Sequence, residues 1–171
     1  HCLSDYFPFH LLQKVDLEAP NSSSVVDGMQ YYGEAFAGCY DGGEKTIRYV
    51  YSGQENPEKA SNVGLFTRLK DGAVIKNLKL DVNITGGYSK VGGLAGKASG
   101  NIKLENIRVQ GSIKASNEYI GGLIGYMSNG VLTVDDCILD MSVETSNRFA
   151  GGLAGGVDDC SLNIKGLKTN N

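Results

Sequence analysis

The chain has 171 residues, a formal net charge of −3, 24 glycines, five phenylalanines and no tryptophan. Its Lys and Arg residues are dispersed, so no basic stripe exists to hold phosphates, which argues against nucleic acid as a partner. No apolar run reaches the roughly 18 residues of a membrane span, and a core of small and branched aliphatic side chains suits tightly coiled strands better than a bulky sandwich.

Residues 1–35 are the least regular part. The sequence opens at His1 without an initiator Met or a signal-peptide pattern, and reads as a processed or excised part of something longer. Cys2 would serve as a lipid-anchored cysteine only if it opened the mature chain. Leu12, Lys14, Val15, Asp16 and Leu17 alternate in the manner of a strand, Pro20 stops it, and Asn21-Ser22-Ser23-Ser24 is a polar loop. Because the end of a stack of strands exposes an unpaired edge, 1–35 is expected to form an N-terminal cap or an incomplete first coil. His1 and His10 are the only histidines and fall in no metal-ligand motif, so a Ser-His-Asp arrangement would have to be built on His10.

From Phe36 onward the chain repeats. VGGLAG (91–96), IGGLIG (120–125) and AGGLAG (150–155) are near copies; Leu94 and Leu123 stand 29 residues apart, Leu123 and Leu153 30. A fixed period of this size signals a repeat architecture. Weaker copies lie at Val63-Gly64-Leu65 and at Phe36. Two apolar columns follow from the alignment: Phe36, Leu65, Leu94, Leu123 and Leu153, then Ile47, Ile75, Leu104, Val134 and Ile164. LKLDVNI (78–84), IRVQGSI (107–113) and CILDMSV (137–143) alternate with the period of a half-buried strand, and no window keeps a helical period.

Asn77, Asn106, Asp136 and Gly166 each precede an apolar residue in this alignment, and they are residue types that tolerate a left-handed backbone. A turn is expected there on every coil, with Asn side chains stacked into a hydrogen-bonded ladder. In the Phe36 coil the alignment puts Tyr49 at that position, against the pattern. A unit of this length cannot bury its own apolar face alone, but stacked on a copy of itself it can. The expected fold is therefore an all-β, right-handed parallel β-helix or β-solenoid of about five coils with 29–30-residue repeats over 36–171, its coils about 4.8 Å apart. The alternative is a β-sandwich of repeated hairpins.

The GGL-x-G phrase followed by an apolar-x-Asn-apolar strand resembles the GLUG-motif repeats of bacterial surface and secreted proteins. The elements Phe36, Gly38, Asp41, Gly42, Thr46 and Ile47 are similar to the phrase that opens such arrays, and the likeness covers roughly residues 30–168. The first coil departs from it at Gly43-Glu44 and at Tyr49, and Thr67 stands where later coils have Gly96, Gly125 and Gly155. The resemblance implies adhesin-type modules and non-catalytic regions of immunoglobulin A protease-like proteins. It carries no catalytic residues.

The chemistry of function is sparsely marked. The four cysteines, Cys2, Cys39, Cys137 and Cys160, allow three disulfide connectivities in an extracellular chain, but Cys137 sits in a core column and the favoured reading is buried, unpaired thiols. No zinc motif is present. Asp135-Asp136 and Asp158-Asp159 read as turn carboxylates, with Glu105 and Asn106 as the counterparts of the first pair one coil earlier; a catalytic pair or a calcium site would need acids from neighbouring coils on one face. The GxG strings lack the strand-then-helix context of a phosphate loop. Tyr31, Tyr32, Tyr40, Tyr49 and Tyr51 crowd the first coil, and Tyr31, Tyr32, Tyr49 and Tyr51 are the candidate ligand-binding residues, because rigid rings with polar tips suit sugar or protein recognition. The plainer reading has them cap the core. Tyr119 and Phe149, at one repeat position, are expected to brace the turn before each GGL phrase.

The expected function is a non-catalytic bacterial cell-surface or secreted module for adhesion, or a rigid spacer of a larger protein, with a host or bacterial surface protein or glycan as partner. No cofactor or metal is expected. The competing expectation is an accessory or catalytic β-helix acting on polysaccharide.

Overall fold

The computed structural model describes residues 10–12, 17–20, 35–53 and 61–169. Its strands are β1 (His10–Leu12), β2 (Leu17–Pro20), β3 (Cys39–Ser52), β4 (Ser61–Val63), β5 (Phe66–Leu69), β6 (Val74–Thr85), β7 (Ser89–Gly92) and β8 (Ala95–Ser99). They continue with β9 (Ile102–Ala115), β10 (Ile120–Gly121), β11 (Ile124–Asp135), β12 (Cys137–Thr145), β13 (Ala150–Gly151), β14 (Ala154–Ile164) and β15 (Leu167–Thr169). Every registered pair is parallel, and partners lie about one repeat apart in sequence. That pairing is a β-solenoid of about four turns, and it rules out hairpins, whose strands would pair antiparallel.

The core is a set of columns, each filled by one residue per coil. Tyr40, Ile75, Leu104, Val134 and Ile164 stand in one register line, and Leu78, Ile107, Cys137 and Leu167 in a second, whose place in the first coil falls to the exposed Lys45. Leu65, Leu94 and Leu123 are 0% exposed, and the Leu94 amide donates to the Leu123 carbonyl at 2.9 Å. Strands of one solenoid wall are packed against those of another, so apolar side chains at every second position meet inside while their neighbours face water.

The expected turn is present, with two corrections. Asn77, Asn106 and Asp136 have φ of 54°, 50° and 50°, each between two buried apolar residues: Ile75 and Leu78, Leu104 and Ile107, Val134 and Cys137. Gly166 does not take a left-handed φ. In the first coil the place is held by Gly43 and Glu44, at φ 58° and 60°, where the register against β6 shifts between Asp41 and Lys45. Tyr49 is therefore no turn residue: it lies within β3, pairs with Val82 and is 2% exposed. The same shift moves Ile47 into line with Leu80, and Phe36 pairs with Leu69 instead of heading the Leu65 column. Three residues, Gly42–Glu44, face Asn77 alone, and partners of the first coil stand 33–35 residues apart instead of 29–30, so simple spacing misplaces that coil.

Candidate functional surfaces

Residues with their side chains turned out from the broad β3–β6–β9–β12 wall form polar columns. Arg48, Asp81, Gln110 and Asp140 stand in one register line across four coils, so neighbouring members are about 4.8 Å apart. Beside them run Val50, Asn83, Ser112 and Ser142. Between the two columns the wall is hollowed into an open groove of about 450 Å³, lined by Arg48, Val50, Asp81, Val82, Asn83, Gln110, Gly111 and Asp140. Gly111 is part of the lining, and glycine is required there: its φ is 126°, and a Cβ would overlap the carbonyl oxygen of Val82 on the adjacent strand. The groove therefore presents carboxylates and amides at strand spacing on a stiff floor. Asp81 and Asp140 lie two rungs apart, about 10 Å by strand spacing, with Gln110 between them.

The acids singled out from the sequence are elsewhere. Asp136 and Asp159 occupy left-handed turns, at φ 50° and 48°. Asp135 does pair in register with Glu105, but Glu105 is held by Lys103 at 3.0 Å, and that hydrogen bond lowers its pKa. Among the described residues no group of three or more His, Cys, Asp and Glu side chains is placed to hold a metal ion.

Of the tyrosines, Tyr31 and Tyr32 lie outside the described residues. Tyr49 is buried and Tyr51 half-buried, so both serve the core more than any surface. Burial pushes the phenol of Tyr40 up to about 12 and that of Tyr49 higher still. A different aromatic group lies near the last coil, half-buried at Tyr119 and Tyr126 and exposed at Phe149. Tyr119 and Phe149 stack with centroids 5.2 Å apart and planes 5° from parallel, and Tyr126 meets Tyr119 edge-on at 4.8 Å. The Tyr126 hydroxyl donates to Asp158 at 3.2 Å, and Lys90 and Arg148 lie over the Tyr126 and Phe149 rings. Lys90, Tyr119 and Phe149 have φ of 57°, 62° and 61°, so the turn before each GGL phrase is left-handed and its side chains brace one another from coil to coil.

No family model and no solved structure matches this chain. A stretch of 102 residues, 60% of the chain, is 31% identical to Halomucin of Haloquadratum walsbyi. That stretch is 1% of Halomucin's length.

The cysteines divide. Cys39 is disulfide-bonded, which corrects the expectation of unpaired thiols throughout. Cys137 and Cys160 are free. Cys137 fills its core column as a small hydrophobe, and desolvation raises its thiol pKa. Cys2 lies outside the described residues. No helix among the described residues is long and apolar enough to cross a membrane.

Proposed function

We propose that this chain is a non-catalytic module of a secreted or cell-surface protein, in which the solenoid acts as a rigid support and the groove on its outer wall binds an extended, hydroxyl-rich partner such as a glycan. The observation that carries this reading is the Arg48–Asp81–Gln110–Asp140 column. It sets donors and acceptors at a fixed spacing along an open trough, a geometry suited to a polymer lying across the coils. Three further observations support it. The Cys39 disulfide suits an oxidising, extracytoplasmic compartment. The GGL phrases resemble those of adhesin-type repeats. The stretch similar to Halomucin is a small part of a far longer protein, as a spacer module would be.

A glycan array combined with an assay for polysaccharide cleavage tests this. The parent should bind without turnover, and Gln110→Ala with Asp140→Ala should weaken retention by about tenfold or more, the loss of one or two hydrogen bonds to charged or amide groups. Turnover that Asp140→Asn abolishes would instead establish a polysaccharide-acting β-helix and overturn the proposal.

A further inference from the structure

The two ends of the solenoid differ. Over β3, at one end, lie β1 and β2. At the other end β13 and β14 are outer strands, each paired on one side only among the described residues. The apolar columns run out into solvent there. Val157, Leu162 and Ile164 are 49, 45 and 46% exposed, whereas Met127, Leu132 and Val134, their register partners one coil earlier, are all 0% exposed.

Gly152 is a second and independent observation. A Cβ on Gly93 would stand 2.6 Å from the carbonyl oxygen of Gly122, and one on Gly122 would overlap that of Gly152. Each of these glycines is thus required by the coil that follows it. Gly152 holds the same place in its phrase, yet a Cβ there would meet nothing within 4 Å, and its φ is not left-handed. Glycine costs backbone entropy on folding, and nothing in this coil calls for it. The residue is the one that a following coil would demand.

We infer that this end face receives one more coil of the same repeat class: a parallel β-coil with its own GG-x-x-G phrase, seated on β13 and β14. The face of each preceding GGL phrase in the molecule is already covered by such a coil. A second copy of this chain stacked head to tail would present β1 and β2, which lie over β3 in a stretch, residues 1–27, that contains no glycine and so no GG-x-x-G phrase. This inference is independent of the groove and its ligand.

The test is a chain in which residues 137–166 are repeated in tandem after Gly166, one full period, since Cys137 and Leu167 are register partners. Its melting temperature should rise by about 4 °C or more, and the amides of 150–164 should gain at least about tenfold protection from hydrogen exchange. Gly152→Ala should leave the original chain within about 1 °C of the parent but abolish both gains in the extended chain. A synthetic peptide of residues 137–166 added in trans is the second probe, and should protect the same amides if the extended chain does not fold. The inference is overturned if neither probe protects 150–164, or if Gly152→Ala destabilises the original chain as much as Gly122→Ala does. It is equally overturned if the original chain forms a dimer that protects those amides, which would give the face to a second copy.

Discussion

Asn106 and Asn77 are joined side chain to side chain across one coil, the Nδ2 of Asn106 donating to the Oδ1 of Asn77 at 2.9 Å. Asn77 in turn donates to Asp41 at 3.1 Å, and Asp41 also accepts from the Gly43 amide at 3.0 Å. Three coils are thereby tied at the turn where each backbone goes left-handed. Asn meets both demands, a side chain that bridges coils and a backbone that accepts positive φ.

Replacing Asn106 separates those demands. Asn106→Gly keeps the backbone and loses the ladder bond, which should cost about 1 kcal/mol, whereas Asn106→Ala also incurs the left-handed penalty and should cost about 2–3 kcal/mol. Urea unfolding of the two variants reads the difference. Equal losses would mean that the turn conformation is not what selects Asn.

Leu123 stands in the middle of its column with no exposure. Leu123→Ala should lose about 3 kcal/mol, since the coils above and below are fixed by backbone hydrogen bonds and cannot collapse into the cavity. Leu123→Asp, which buries an unpaired carboxylate, should abolish the cooperative transition. A Leu123→Asp protein that melts at the parent's temperature would refute the stacked-column core.

The two free thiols should respond differently to an alkylating reagent. Half-buried Cys160 should be modified in the folded protein, while Cys137, fully inside and with its pKa raised by burial, should react only at the rate of unfolding. Reducing the Cys39 disulfide should lower stability by about 2–4 kcal/mol, measured by melting with and without reductant.

High pH should unfold the protein through its buried tyrosines. The folded pKa of Tyr40, about 12, and that of Tyr49 lie above the ordinary phenol value of 10.0, raised by burial. Both therefore contribute stability that is complete below about pH 10 and lost as the pH rises through their folded values. Phenolate absorbance from Tyr40 and Tyr49 should appear only together with unfolding. Ionisation of Tyr40 and Tyr49 near pH 10 while the protein stays folded would contradict their burial.

Much of the frame could be read from the chain because a stacked core repeats its chemistry. Leu94, Leu123 and Leu153 announce a column, and Asn77, Asn106 and Asp136 announce a turn, since both positions restrict residue type in every coil. Two features were not legible. The Gly43–Glu44 bulge shifts the first coil, and such a shift is visible only once strands are paired. The turn before each GGL phrase is marked by its repeat position, but its left-handed backbone is not, because Lys90, Tyr119 and Phe149 are side chains that carry no such signal. The groove escaped for a related reason: Arg48, Asp81, Gln110 and Asp140 share a position and no chemical type.

That last mismatch bears on how such a molecule changes over generations. Side chains of the broad wall alternate, so the inward set is constrained by neighbours above, below and across, while the outward set answers only to water and to whatever lies against it. Its exterior can be rewritten one residue at a time without disturbing the spine. The wall behaves like a rack with removable labels, in which new recognition arises by editing the labels while the shelving is inherited intact.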